Sequence, residues 1–128
     1  MVGPANNAFA SAQVIPATGG SITGTSTGAT KESGEPAHAG NAGGASVWYR
    51  WTAPRSGLLI VSTAGSSFTT LLAAYTGTAV NGLTRLASNT SPGASLIYFP
   101  VTSGTTYRMA VDGYGGASGA VRLAVTLA

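Results

Sequence analysis

The chain has 128 residues, of which 44% are hydrophobic and only 7% are charged. This composition excludes an intrinsically disordered chain, which combines low hydrophobicity with high net charge. The length predicts one domain, residues 1–128, that is large enough to bury a hydrophobic core. Six Lys/Arg residues against three Asp/Glu residues give a net charge of +3, but the cations are scattered, so we expect no nucleic-acid partner.

Segments with strand-like patterns follow one another along the chain. An alanine-rich segment, 6–13, comes first and predicts a helical turn. Turn sequences such as Asn81-Gly82 and Ser91-Pro92-Gly93 separate the later segments. The predicted strands are 21–27, 46–52, 57–63, 70–76, 83–88, 95–101, 105–111 and 120–127. Eight short strands at near-regular spacing predict an all-β fold, an antiparallel β-sandwich or barrel.

The strand at 46–52 contains the densest aromatic cluster. Val47, Tyr49 and Trp51 alternate onto one face, which we expect to lie in the core. Trp48 and Arg50 fall on the opposite face, where we expect Trp48 to be partly exposed. Trp48 and Arg50 are therefore candidate ligand contacts.

The longest segment without a strand pattern, 28–45, holds Glu35 and the only histidine, His38. Long irregular loops in compact domains tend to be functional or tied down. Together with Asp112, these residues are candidate metal ligands. The alternative is that Glu35 and His38 anchor the loop through hydrogen bonds to backbone groups. We favour this alternative, because one histidine and one acid are too few ligands for a usual zinc site.

Asp112 precedes a glycine-rich stretch, 113–119, and we expect its carboxylate to bond the amides of a turn. Tyr114, at the tip of this stretch, is the aromatic residue that we expect to be most exposed. It is the third candidate ligand contact, because an exposed tyrosine can stack on a sugar.

The sequence contains no complete catalytic motif. A serine could act with His38 and Asp112, but the sequence has no Gly-x-Ser-x-Gly motif. Glu32 and Glu35 lie three residues apart on an irregular loop, whereas a glycosidase needs two carefully placed carboxylates. We therefore expect a protein that is not an enzyme and has no cofactor.

Several motifs resemble one known family. The segments AGNAGG (39–44) and SVWYRWTAP (46–54), with TAGSSF (63–68), TLLAAYTG (70–77) and AVDGY (110–114), look like the bacterial pre-peptidase C-terminal domain. The resemblance implies a small jelly-roll-like β-sandwich. It also implies a non-catalytic accessory module of secreted and cell-surface bacterial proteins, some of which bind extracellular polymers and some calcium.

The chain departs from the family pattern at positions where acids are expected, near 7, 69 and 90–91. Calcium takes six to eight oxygen ligands, several of them from carboxylates. Because Glu32, Glu35 and Asp112 are the only acids, we expect at most a weak calcium site.

Three functions remain open. The first is an accessory or adhesion module of a bacterial surface or secreted protein. The second is a virion structural subunit, such as a phage capsid-decoration or fibre protein, because Met1 can be native and no secretion signal is visible. The third is a carbohydrate-binding module that uses Trp48 or Tyr114. We expect protein partners or self-assembly, a polysaccharide as the alternative ligand, and an extracellular, cell-surface or virion-surface location. Since the longest apolar runs are far shorter than a bilayer span, no membrane insertion is expected.

Overall fold

The computed structural model describes residues 4–91 and 94–128, and over these residues the fold is all-β with nine strands and two short 3₁₀ turns. No helix in this part of the chain is long and apolar enough to cross a membrane. The 3₁₀ turns are Phe9–Ser11 and Tyr114–Gly116. The strands are β1 (Gln13–Val14), β2 (Gly20–Thr25), β3 (Val47–Thr52), β4 (Gly57–Ser62), β5 (Thr70–Thr76), β6 (Thr84–Thr90), β7 (Leu96–Val101), β8 (Thr106–Gly113) and β9 (Ala120–Leu127).

All eight predicted strands are present, and the helical turn expected within 6–13 is the 3₁₀ turn Phe9–Ser11. The two-residue strand β1 was not predicted, because two residues are too few to show alternation. The predicted turn at 91–93 falls partly outside the described residues.

The strands form a five-stranded sheet, β1-β3-β8-β5-β6, and a four-stranded sheet, β2-β9-β4-β7. Every pairing is antiparallel except that of β1 with β3. From β2 onward the chain changes sheet at each step, apart from the β5–β6 hairpin. This order is that of a double-sheet jelly roll, so the predicted antiparallel sandwich is confirmed.

The core lies between the two sheets. The prediction for β3 holds there, because Val47, Tyr49 and Trp51 are all buried. Alternate residues of the facing sheet complete the layer, as the side-chain period of a strand requires. Core residues on the other strands include Leu59, Val61, Leu72, Ile97, Phe99, Val101, Tyr107, Met109, Val111, Val121, Leu123 and Val125.

The outer face of the five-stranded sheet is covered as well, so the prediction that Trp48 is partly exposed is wrong. Trp48 is 0% exposed and belongs to a second cluster with Phe9, Ala73, Tyr75 and Ala110. The segment before β1 lies along β3, where Trp48 donates its amide to Asn6 at 2.9 Å and accepts the Asn6 side-chain amide at 3.1 Å.

The ring of Phe9 meets the ring of Trp48 edge to face at 5.0 Å. The guanidinium of Arg108 lies over the Phe9 ring, 4.8 Å from its centroid. Arg50 is exposed and directly opposite Arg108 in the β3–β8 register. Burial, and then the charge of Arg50, lower the pKa of Arg108. Phe9 thus shields Trp48 and gives the Arg108 cation a favourable aromatic contact.

We predict that Phe9→Ala destabilises the protein by about 3–5 kcal/mol, the usual cost of truncating a buried aromatic residue. The loss combines a cavity over Trp48 with the loss of the ring beneath Arg108. Chemical denaturation gives the unfolding free energy. Val14→Ala is the control, since Val14 is 59% exposed and its truncation is expected to change stability by no more than about 0.5 kcal/mol. Equal effects of the two substitutions would contradict the role of Phe9 as a cover.

Candidate functional site

The three candidate metal ligands are brought together at one end of the sandwich. Glu35 and His38 come from the loop between β2 and β3, and Asp112 comes from the end of β8. One ligand atom from each lies within 4.8 Å of the others. All three side chains are fully buried. The structure therefore brings these three residues together.

Asp112 joins the loop to the sheet through one carboxylate oxygen. Its Oδ1 accepts hydrogen bonds from the amides of Gly44 at 3.0 Å, Ala45 at 2.8 Å and Gly113 at 2.7 Å. The bond from Gly113 comes from the next residue in the chain, at the end of β8. The two bonds to the preceding loop were not anticipated, since they join residues almost seventy positions apart.

Lys31 occupies the space between the two carboxylates. Its Nζ lies 3.3 Å from Asp112 Oδ2 and 3.6 Å from Glu35 Oε2, and it donates a hydrogen bond of 2.8 Å to the carbonyl of Pro36. Sequence reasoning missed this residue. The available signal was that Lys31 is the only lysine among six cations and stands four residues before Glu35.

A chain of hydrogen bonds runs from Glu35 into the aromatic cluster. Glu35 Oε2 lies 2.7 Å from His38 Nε2, and His38 Nδ1 lies 2.6 Å from the Tyr75 hydroxyl. Since a carboxylate only accepts, Nε2 carries the proton and donates it. In the neutral ring, Nδ1 then accepts from Tyr75. The ring of His38 also meets Trp48 edge to face at 5.3 Å.

These contacts move two pKa values in opposite directions. Burial raises the pKa of Glu35, but hydrogen bonding, first of all by His38, outweighs it and leaves this pKa below the usual 4.5. Burial raises the pKa of Tyr75 to about 12; the charge of Arg85 opposes this shift and the carboxylates of Glu35 and Asp112 reinforce it. The cluster therefore favours a charged Glu35 and a neutral Tyr75.

The arrangement does not fit a calcium ion. Calcium requires six to eight oxygen ligands, whereas this cluster offers two carboxylates and an imidazole. One oxygen of Asp112 is already saturated by three amides, and the ammonium of Lys31 lies where a cation would neutralise the carboxylates. The hydrogen bonds agree with the interpretation of Glu35 and His38 as groups that anchor the loop, although their partners are side chains more than backbone.

The three candidate ligand contacts differ in their exposure to solvent. Tyr114 is 56% exposed, as expected, and Arg50 is exposed, but Trp48 is not accessible. The turn that carries Tyr114 is attached to the β2–β3 loop by a bond from the Gly115 amide to Asn41 Oδ1 at 3.2 Å. Of the two aromatic candidates, only Tyr114 keeps a surface on which a ligand can bind.

An exposed apolar face on β4 and β7 was missed. Leu58, Leu96 and Tyr98 are 39%, 52% and 66% exposed. The register places Leu58 opposite Pro100 and Ile60 opposite Tyr98, so these side chains adjoin on one face. Neither strand contains a charged residue. The sequence did contain a sign of this face. The alternation of residues 95–101 places Phe99 toward the core and Tyr98 on the outer face.

No model of a known protein family matches the sequence, and no curated protein matches it either. Solved structures with a similar fold were found. The pre-peptidase C-terminal domain of the collagenase from Bacillus anthracis superposes with a TM-score of 0.57 at 14% identity, covering 90% of this chain and 94% of that domain.

PliG from Aeromonas hydrophila, a periplasmic inhibitor of g-type lysozyme, gives a TM-score of 0.57 at 14% identity over 91% of this chain and 96% of that protein. The Yersinia pseudotuberculosis-derived mitogen gives 0.51 at 15% identity over 84% of each chain. Such low identities show the fold alone. The chain therefore shares the fold of the pre-peptidase C-terminal domain, as its motifs suggested.

We predict that Gly43→Ala is more destabilising than Gly115→Ala by about 1–3 kcal/mol, the usual cost of overpacking. Both glycines have positive φ, 59° and 64°, so both alanines carry the same backbone strain. A Cβ at Gly43 collides with the Asp112 carboxylate, whereas one at Gly115 has no neighbour within 4 Å. Denaturant unfolding of the pair isolates the collision, and equal losses would show that the Asp112 contact is unimportant.

We predict that Glu35→Gln removes part of the acid sensitivity of the fold. Because the folded-state pKa of Glu35 is lower than 4.5, its contribution is complete above that value and is lost as the pH falls through the folded-state pKa. The difference in unfolding free energy between wild type and variant should thus be largest near neutral pH and shrink in acid. A difference that stays constant across this range would be the contrary result.

Proposed function

We propose that the protein is a non-catalytic accessory module of a bacterial secreted or cell-surface protein, and that it acts by protein–protein contact. The exposed apolar face of β4 and β7 carries this proposal. Contiguous exposed apolar surface on a soluble domain marks interaction sites. The buried cluster around Asp112, by contrast, spends its polar groups on internal hydrogen bonds.

The partner docks on the face of the sheet rather than along its edge. The amide of Ala128 bonds the carbonyl of Leu58 in β4, and the amide of Thr63 bonds the carbonyl of Ser95, just before β7. These two bonds show which residues of β4 and β7 are hydrogen-bonded to each other. The N–H and C=O groups of Leu96, Tyr98 and Pro100 therefore point away from β4, toward the open edge of the sheet at β7. Pro100 has no N–H, which blunts an edge strand. In addition, the amide of Leu96 already donates to a side chain, Asn89 Oδ1, at 3.3 Å.

A second copy of the chain is the partner that this surface suits best. The chain carries a net charge of +3, but the strands that form the face contain no charge. Two copies can therefore meet there without burying an unpaired cation, which would be strongly unfavourable. Packing of two sheets face to face is also a standard arrangement of β-structure.

The same contact would also serve a virion decoration or fibre subunit, because such a subunit docks on other protein chains. Carbohydrate binding is the second candidate function, and the exposure of Tyr114 favours it. That candidate uses the turn after β8 rather than the outer faces of β4 and β7, so substitutions distinguish the two.

We predict that the wild type associates reversibly in sedimentation velocity experiments over a concentration series, and that Tyr98→Glu is monomeric throughout. A carboxylate at this position would be buried without a partner on association. Tyr114→Ser is the matched control, because Tyr114 is 56% exposed and Tyr98 66%, and it should associate like the wild type.

A wild type that is monomeric at all concentrations would reject self-association, and association that survives Tyr98→Glu would reject this face. Glycan-array binding that is lost in Tyr114→Ser but kept in Tyr98→Glu would instead support the carbohydrate function.

A further inference from the structure

A primary amine and a carboxyl group that are far apart in the sequence face each other at the candidate site. Lys31 Nζ lies 3.3 Å from Oδ2 of Asp112, whose side chain is fully buried. On the other side of the ammonium, Oε2 of the buried Glu35 carboxylate lies 3.6 Å away. An amine, an acyl group and a proton acceptor are thus assembled at one point.

We propose that Lys31 and Asp112 condense to form an intramolecular isopeptide bond, an amide between Lys31 Nζ and Asp112 Cγ, with Glu35 as the proton carrier. The bond from Nζ to Cγ forms, the bond from Cγ to Oδ2 breaks, and Oδ2 leaves as water. Both hydrogens of that water come from the ammonium by way of Glu35 Oε2, which returns to its starting state. The charges of ammonium and carboxylate cancel, so the reaction needs no oxidant and no co-reactant.

The other oxygen of Asp112 lies in an oxyanion hole. Attack of the amine on Cγ develops negative charge on Oδ1, which already accepts three backbone amides, from Gly44 at 3.0 Å, Ala45 at 2.8 Å and Gly113 at 2.7 Å. Donors at these distances are those that stabilise the tetrahedral intermediates of acyl transfer. The same three bonds hold the carbonyl oxygen of the resulting amide.

Glu35 is positioned to activate the amine. An ammonium is not a nucleophile until it loses a proton, and a neighbouring base supplies this step in lysine-dependent reactions. The Glu35 carboxylate is itself oriented by hydrogen bonds from His38 Nε2 at 2.7 Å and from the Glu32 amide at 3.0 Å. Its geometry is therefore fixed before the reaction begins.

The fold favours amide formation by holding the amine and the carboxyl group together. Well-oriented intramolecular groups reach effective concentrations of about 10⁵–10⁸ M, which lowers the barrier to their reaction. The side chains of Glu35 and Asp112 are 0% exposed and that of Lys31 is 21% exposed, so little water reaches the bond. The cross-link would fasten the β2–β3 loop to β8 in a chain that has no cysteine for a disulfide.

The proposal is tested by the intact mass of the folded wild type, measured after denaturation. We expect a mass lower by one water than that of the sequence. Trypsin should then fail to cut after Lys31 and should release one species in which peptide 1–50 is joined to peptide 109–122. A wild type at the full sequence mass, with separate peptides, would overturn the proposal.

Two variants separate the isopeptide bond from other dehydrations. Asp112 precedes Gly113, and cyclisation of an Asp-Gly pair to a succinimide also removes one water. Lys31→Arg keeps the cation but lacks the amine, so it should retain the full mass; loss of water in this variant would identify the succinimide and reject the isopeptide. Glu35→Gln should slow or abolish the reaction in folded protein, and a wild-type rate in this variant would reject Glu35 as the proton carrier.

Discussion

The structure depends on the way in which the buried Asp112 carboxylate is compensated. A carboxylate without exposure to water is strongly unfavourable unless it is paired and hydrogen-bonded. Here three amides bind one oxygen and Lys31 binds the other. Because the amides of Gly44 and Ala45 belong to the β2–β3 loop, satisfying this charge requires the loop to close against the end of β8. The longest irregular segment of the chain is thereby given one defined position.

Closure of the loop determines what happens to the outer face of the five-stranded sheet. The loop brings His38 onto Trp48 and Tyr75, with ring centroids 5.3 and 5.6 Å away. The N-terminal segment brings Phe9 onto Trp48 as well. A face that would be wet in a simple antiparallel sandwich becomes a second core. The hydrogen bond between His38 and Tyr75 satisfies polar atoms within it.

The elements of the fold were predictable because strands have a period of two and turns have characteristic residues. The core face of β3 was assigned correctly for Val47, Tyr49 and Trp51. Alternation cannot tell, however, whether a second face is covered by a distant loop, and Trp48 was misplaced for that reason. The site was predicted in part: Glu35, His38 and Asp112 were chosen as rare residues, but Lys31 was passed over, since a search for metal ligands considers only electron donors.

The jelly roll thus has two unlike outer faces, and the difference bears on function. The five-stranded sheet is covered by the chain's own segments and held by Asp112. The four-stranded sheet leaves Leu58, Leu96 and Tyr98 exposed on strands without charge. A sequence with only 7% charged residues has few means of keeping such a face in water, and it has used none of them on β4 or β7. An outer face left apolar beside one so thoroughly covered is the asymmetry on which the proposed protein–protein contact rests.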